Sequence, residues 1–105
     1  MAQGNGTKQT SSSRVLDIDI EKDGTLLYYI KHSSGTGNGY GTNCCARWVI
    51  YINGKEKVNQ FNDNNYMIYK GPEGTLDVKK GDYLELYVKD CQYWGQYYYY
   101  YMILQ

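Results

Sequence analysis

The sequence predicts an all-β fold: a single antiparallel β-sandwich of about eight strands, jelly-roll-like, that follows a flexible polar N-terminal arm. Short segments rich in β-branched and aromatic residues recur along the 105-residue chain, and turn residues separate them. This spacing is typical of sandwiches and barrels, and eight strands in two Greek keys make a jelly roll. No segment keeps the period of an amphipathic helix over about ten residues.

The polar arm is the segment MAQGNGTKQTSSS, residues 1–13. Its composition offers almost no apolar side chain to bury, so we expect it to be flexible, with the sandwich domain occupying residues 14–105. An arm of this kind can cross to a neighbouring subunit and add a strand to its sheet. We therefore expect the arm to take part in assembly.

Four strands are predicted in the first half of the chain. Apolar and acidic residues alternate from Arg14 onward, as on a half-buried strand, and Asp23-Gly24 marks the turn that follows. A glycine-rich loop separates the second strand from the third. Asn53-Gly54 between two strand-like segments favours a type I′ hairpin. These strands are residues 14–21, 25–32, 44–52 and 55–61.

Four more strands are predicted in the second half. A cluster of Asn and Asp residues ends the preceding strand. Gly71-Pro72 is expected to stop the next one, because proline cannot donate to a β-ladder. Lys80-Gly81 predicts the turn of the following hairpin. The strands of this half are residues 66–70, 74–79, 82–90 and 97–104.

The last predicted strand consists of five consecutive tyrosines followed by Met, Ile and Leu. In a strand, Tyr97, Tyr99 and Tyr101 lie on one face, while Tyr98 and Tyr100 lie on the other. Both faces are therefore large and partly apolar, whereas a strand with one wet face normally alternates apolar with polar residues. The second face needs cover, which the same chain, another copy or a sugar can provide.

The charge pattern argues against several classes of partner. Eleven basic and eleven acidic residues balance, and no block of like charge occurs. A nucleic-acid partner is not expected, because duplex binders normally present a basic patch. No long apolar run predicts a transmembrane helix, and the N-terminus lacks the apolar core of a signal peptide. We expect cytoplasmic synthesis, no membrane partner, and a location on a virion or an extracellular surface reached after lysis.

Catalytic and metal-binding patterns are not recognisable in the sequence. His32 is the single histidine, and no nucleophile is marked near it. Asp17, Asp19 and Glu21 repeat at every second position, which is typical of the wet face of a strand and not of a coiled calcium loop. We therefore expect a protein that is not an enzyme and that has no cofactor and no metal site.

The three cysteines leave two interpretations open. Cys44 and Cys45 are adjacent, so their side chains point to opposite faces of the predicted strand and are poorly placed to bond each other. Cys91 ends another predicted strand and can meet one of them. Either Cys91 forms a disulfide with Cys44 or Cys45, or all three stay reduced in a protein made in the cytosol.

Tyrosine outnumbers phenylalanine by fourteen to one, and a large ring with a polar tip suits exposed recognition surfaces. Three interpretations of the aromatic residues stay open: stacking between neighbouring strands, a subunit interface, and a surface that stacks against sugar rings. The predicted interface residues are Tyr83, Tyr87, Tyr97, Tyr98, Tyr99, Tyr100 and Tyr101. The predicted glycan platform on the loops consists of Tyr40, Tyr93 and Trp94.

The pattern as a whole favours a non-enzymatic structural protein that self-assembles or decorates a larger assembly, through its N-terminal arm and tyrosine-rich strand. A phage virion decoration or head-fibre subunit, or a subunit of a surface appendage, fits this description, with other protein subunits as partners. The alternative is a lectin-like carbohydrate-binding module that uses loop Trp and Tyr residues. A regulator that binds another protein through its tyrosine surface also stays open.

Overall fold

Two four-stranded β-sheets form the fold. The structure is a computed structural model, and it describes residues 2–8, 13–33, 46–62, 68–89 and 96–105. The strands in chain order are β1 (Ala2–Lys8), β2 (Ser13–Asp19), β3 (Gly24–Ser33), β4 (Ala46–Ile52), β5 (Lys55–Asn62), β6 (Ile68–Val78), β7 (Tyr83–Lys89) and β8 (Gln96–Leu104).

Sheet A has the strand order β1-β8-β3-β6, and sheet B has the order β2-β7-β4-β5. All neighbouring strands are antiparallel. Of these eight strands, β4 and β5 are the consecutive pair within one sheet, and the other connections cross from sheet to sheet. Each sheet thus combines strands that are far apart in sequence, as two interlocked Greek keys require. The predicted jelly-roll-like sandwich is confirmed.

The hydrophobic core fills the space between the two sheets, and period-2 alternation decides which residues enter it. On β7, Leu84, Leu86 and Val88 are buried, while the residues between them are half-buried on the outer face. Trp48 on β4 and Met102 on β8 are both fully buried. The remaining members of the core cluster are Ile20, Leu26, Tyr28, Ile30, Ile50, Ile52, Val78 and Tyr100.

The turn between β4 and β5 is the one that the sequence predicts. Asn53 and Gly54 have φ angles of 53° and 79°, so both central residues occupy the left-handed region that a type I′ turn needs. The Asn53 side chain also connects this turn to β7. Its Oδ1 accepts a hydrogen bond from the Tyr83 backbone N–H at 2.8 Å, and its Nδ2 donates to Asp82 at 2.9 Å.

Strand β6 differs from the sequence-based prediction, because Gly71-Pro72 does not end it. The pairing of β6 with β3 shifts between Tyr29 and Lys31, so that Gly71 and Pro72 together stand opposite Ile30. This is a β-bulge on an edge strand, and both features accommodate a residue that has no N–H to donate. One long strand therefore replaces the two short strands predicted around these residues.

The N-terminal arm, which the sequence predicts to be flexible, contains a strand in the structure. Ala2–Lys8 forms β1 and pairs with β8 in a continuous register from Ala2↔Met102 to Lys8↔Gln96. Backbone N–H and C=O groups form such a ladder regardless of side-chain polarity. Composition alone predicts disorder here because it contains no information about the open edge of β8.

The strands account for the regular structure of the described residues. No helix in that part of the chain has the length and apolar character needed to span a bilayer.

Candidate functional site

The tyrosine-rich strand β8 lies inside sheet A, between β1 and β3. Successive side chains of β8 point alternately to an inner and an outer face. Tyr100 is 9% exposed and Met102 is fully buried, so these two residues point into the core. Tyr99 is 38% exposed on the opposite face, and Tyr101 and Ile103 are half-buried beside it. One face of the strand therefore belongs to the core, and the other faces outward.

Strand β3 extends this outward surface. Tyr29 pairs with Tyr101, and Leu27 pairs with Ile103, all four residues being half-buried. Residues at directly opposed positions have Cβ atoms about 5 Å apart, and residues two apart on one strand are separated by about 7 Å. We call the resulting surface the tyrosine face; it consists of Leu27, Tyr29, Tyr99, Tyr101 and Ile103.

Polar positions border the tyrosine face on the β6 side. Glu73 stands opposite Tyr29 and Thr75 stands opposite Leu27, and both residues are exposed. Phenolic hydroxyls both donate and accept hydrogen bonds, and ring faces provide flat apolar area. This combination suits a flat ligand that carries C–H surfaces as well as hydroxyl groups.

The outer face of sheet B has a different character, because a hydrogen-bonded network organises it. Arg14 Nη1 donates to Glu85 Oε2 at 3.1 Å, and Arg14 Nη2 lies 3.9 Å from Asp17 Oδ2. The Tyr83 hydroxyl donates to Asp17 at 2.9 Å. The hydrogen bond to Glu85, and next the charge of Asp17, raise the pKa of Arg14. The hydrogen bond to Asp17 likewise raises the pKa of Tyr83.

Lys89 forms a second cluster on the same face. Its Nζ donates to the Tyr51 hydroxyl at 2.6 Å and lies 5.0 Å and 5.3 Å from the centroids of the Tyr51 and Tyr87 rings. The two rings meet edge to face with centroids 5.4 Å apart. The hydrogen bond to Tyr51 raises the pKa of Lys89. Tyr83 and Tyr87 are thus held by neighbours within the chain.

The predicted interface residues do not form one surface. Tyr83 and Tyr87 are on the outer face of sheet B, whereas Tyr99 and Tyr101 are on the outer face of sheet A. Tyr100 lies in the core. Tyr97 and Tyr98 belong to β8, and their side chains are not among those described.

The predicted loop platform and the possible disulfide residues lie outside the described residues; they are Tyr40, Tyr93, Trp94, Cys44, Cys45 and Cys91. Sequence reasoning did not select Tyr29 or Leu27. A signal was present, because Leu26 to Ile30 reads LLYYI and, like the tyrosine strand, offers large apolar or aromatic residues on both faces.

A cleft of about 600 Å³ opens at one end of the sandwich, lined by Ile18, Asp19, Glu21, Lys22 and Leu104. Among the described residues, no group of three or more His, Cys, Asp or Glu side chains is placed to hold a metal ion. The described lining residues of the cleft place carboxylates on a partly apolar wall and include no nucleophile paired with a base, so the tyrosine face is the better candidate site.

Comparisons with known proteins identify solved structures that have a similar fold. No protein-family model matches the chain, and no curated protein matches it. Among solved structures, it is similar to the C-terminal domain of EclA, a sugar-binding protein, with a TM-score of 0.58 and 6% identity over 97% of this chain and 77% of that chain. Pika GITRL matches with a TM-score of 0.52 and 15% identity over 93% and 80%.

A ruminal GH26 endo-β-1,4-mannanase matches with a TM-score of 0.51 and 11% identity; the match covers 97% of this chain and 20% of that enzyme. At these identities, the likeness to all three structures concerns the fold.

Proposed function

We propose that this chain is a non-catalytic carbohydrate-binding domain that holds a glycan on the tyrosine face. The observation that carries the proposal is the outward exposure of Tyr99 on the inner strand β8, with Tyr101 and Tyr29 beside it. Strand β8 is a rigid support for a binding surface, because eight consecutive positions pair it with β3. A rigid platform of rings loses little conformational entropy when a ligand stacks on it.

The tyrosine face suits a glycan without net charge, because Lys31 stands opposite Tyr99 and Glu73 stands opposite Tyr29, one charge of each sign. None of its five residues carries a charge, and the tyrosine hydroxyls supply polar contacts at the edges of the rings. Sugar rings present C–H surfaces that pack on aromatic rings and hydroxyls that exchange hydrogen bonds. The open, flat form of a sheet surface fits a run of sugar units better than a single enclosed one.

The fold gives a second kind of support. The C-terminal domain of EclA, a sugar-binding protein, and part of a ruminal mannanase share this sandwich architecture. Fold alone does not determine function. The shared architecture nevertheless supports the carbohydrate-binding alternative better than it supports virion decoration. Virion decoration, and a location on a virion or an extracellular surface, stay predictions from the sequence.

A glycan array of the full chain, followed by titration with a glycan that binds, tests the proposal. Tyr99→Ala is expected to weaken binding about tenfold, which corresponds to about 1.4 kcal/mol. Tyr87→Ala is the matched control, since it removes the same ring from the outer face of sheet B and is expected to leave the affinity unchanged. An array without hits, or a Tyr99→Ala variant with full affinity, would overturn the proposal.

A further variant distinguishes binding on the tyrosine face from binding on the loop platform predicted from the sequence. If Trp94→Ala abolishes binding while Tyr99→Ala does not, the glycan binds on the loops with Tyr40 and Tyr93, and the tyrosine face is not its site.

Self-assembly is a second proposed function, and the pairing of β1 with β8 favours it. An N-terminal strand that completes its own sheet edge can make the same backbone pairing with the edge of another copy. The mass in solution of the full chain tests this proposal: it is expected to rise above that of the monomer as the protein concentration increases. A constant monomer mass would overturn it.

A further inference from the structure

Strand β1 has the sequence AQGNGTK, which offers almost no apolar side chain. Its register sets Ala2 opposite Met102 and Gly4 opposite Tyr100, the two residues of β8 that point into the core. Because facing positions of an antiparallel pair share a face of the sheet, the inward positions of β1 in this stretch carry only a methyl group or a hydrogen atom. Gly6, opposite Tyr98, continues the series.

The opposite edge of sheet A is built differently. On β6, Val78 is buried in the core and Leu76 packs against it. Full burial of a side chain such as Val78 contributes about 1.5–3 kcal/mol, and Leu76 adds a smaller part, so β6 is anchored by its own residues. β1 lacks this contribution and depends on its backbone ladder to β8.

Glycine weakens the ladder further. A glycine in a strand costs about 0.5–1 kcal/mol relative to alanine, and β1 has two among seven residues. Glycine-rich strands specify their register weakly and are prone to alternate pairing and exchange. β8, in contrast, is fixed on its other side by eight paired positions with β3, from Leu26↔Leu104 to Ser33↔Tyr97. The acceptor edge is therefore rigid, while the strand that fills it is only lightly held.

The length of the connection between β1 and β2 limits how far β1 can reach in an exchange. β1 belongs to sheet A and β2 to sheet B, and residues 9–12 connect them. Five residue steps extend to about 17 Å at most. An exchanged β1 therefore reaches only a β8 edge that adjoins its own sandwich, so the two copies must meet at this edge.

We propose that β1 is an exchangeable strand: Ala2–Lys8 of one copy pairs with β8 of a second copy in the register seen here, and the second copy returns its own β1. This inference rests on the proposed self-assembly and specifies its mechanism. It also joins the two functions, since the positions of Gln3 and Asn5 then stand opposite Tyr101 and Tyr99 of the other copy. Each tyrosine face is bordered by a strand from the partner copy.

Cysteine pairing across the β1–β8 ladder tests the proposal on the full chain. Lys8 and Gln96 are directly opposed, and the double variant Lys8→Cys/Gln96→Cys leaves every tyrosine in place. After oxidation at increasing protein concentration, exchange is expected to give a disulfide-linked dimer or higher oligomer on a non-reducing gel. The single variants Lys8→Cys and Gln96→Cys are the controls for bonds made by the native cysteines.

Each outcome is decisive. Linked oligomers that increase with concentration in the double variant alone support exchange. A bond within single chains at every concentration overturns it, and so does the lack of any bond, since β1 is then not at β8 in this register. If the mass of the unmodified protein still rises while the bond stays within chains, self-assembly stands and only the exchange mechanism falls.

Discussion

Asp17 and Glu85 stand directly opposite each other on β2 and β7, and Arg14 contacts both carboxylates. Like charges at directly opposed positions destabilise an antiparallel pair. Arg14 is on the same strand as Asp17 and offsets this repulsion, helped by the Tyr83 hydroxyl, which donates to Asp17. The opposed pair Asp17 and Glu85 therefore depends on Arg14 for its charge balance.

Replacing Arg14 tests how much the opposed carboxylates Asp17 and Glu85 depend on its charge. Arg14→Ala is expected to lower the melting temperature by a few degrees at low ionic strength, because the two carboxylates then face each other without a cation. Salt screens charges on exposed side chains, so the difference from wild type is expected to shrink as salt is added. Thermal unfolding at several salt concentrations measures both effects.

Asp17→Asn in the Arg14→Ala background is the control, since it removes the repulsion and is expected to recover part of the lost stability. A double variant that melts lower than Arg14→Ala would contradict this account.

Asp82 makes stability depend on pH in the acid range. Its carboxylate accepts hydrogen bonds from the Lys79 backbone N–H at 2.9 Å and from Asn53 Nδ2 at 2.9 Å. These bonds lower the pKa of Asp82 below its ordinary value of 3.8. The unfolded chain therefore binds the proton first, so the stabilisation is complete above the unfolded value and disappears as the pH falls through the lower folded value.

Asp82→Asn is accordingly expected to be less stable than wild type at neutral pH, with the difference vanishing in strong acid. Chemical unfolding across this range measures the gap. A gap that stays constant from neutral to acid pH would rule out the ionised carboxylate as its source.

Gly24 permits a close approach between β3 and the end of β8. The Thr25 N–H donates to the Gln105 carbonyl at 3.1 Å, and the Gln105 N–H donates to the Thr25 carbonyl at 2.8 Å. A Cβ on residue 24 would overlap the Gln105 carbonyl oxygen. Gly24→Ala is therefore expected to lower the free energy of unfolding by about 1–3 kcal/mol, the usual cost of overpacking.

Gly54→Ala is a useful comparison for that variant. Its φ is +79° with no atom within 4 Å of an added Cβ, so it tests backbone strain without a clash and is expected to cost about 1 kcal/mol. Hydrogen exchange distinguishes the two variants, because only Gly24→Ala is expected to increase exchange at Thr25 and Gln105.

Replacing tyrosine by alanine is expected to change stability by very different amounts on the two faces of β8. Tyr100→Ala is expected to cost about 3–5 kcal/mol of stability, since it leaves a cavity in the core. Tyr99→Ala removes an exposed ring and is expected to change stability by about 0.5 kcal/mol or less while weakening glycan binding. Urea unfolding compares them, and similar losses of stability would contradict the assignment of the faces.

Local patterns predicted much of the fold. A strand was predicted at residues 82–90, where β7 lies, and Asn53-Gly54 predicted the β4–β5 turn. These features depend on neighbours in sequence. The prediction ended a strand at Pro72, but a strand can contain a proline where it is an edge strand or has a bulge. Both conditions hold for β6, and only the strand pairing reveals them.

The candidate site could be predicted only in part. Alternation separated Tyr99 from Tyr100, but it did not say which of them enters the core. Tyr29 and Tyr101 are opposite each other although about seventy residues separate them, and a local pattern carries no information about such a pairing. The same limit explains why the arm was expected to be flexible, since its partner strand is at the other end of the chain.

The bulge at Pro72 also makes the β6 edge of sheet A a less regular template for other chains. An open sheet edge offers unpaired N–H and C=O groups to any extended chain, and a segment of five tyrosines is the kind of sequence that aggregates through such edges. Pro72 lacks the donor, and the bulge bends β6 away from a straight template. Regular pairing of another chain along β6 is therefore interrupted at Pro72.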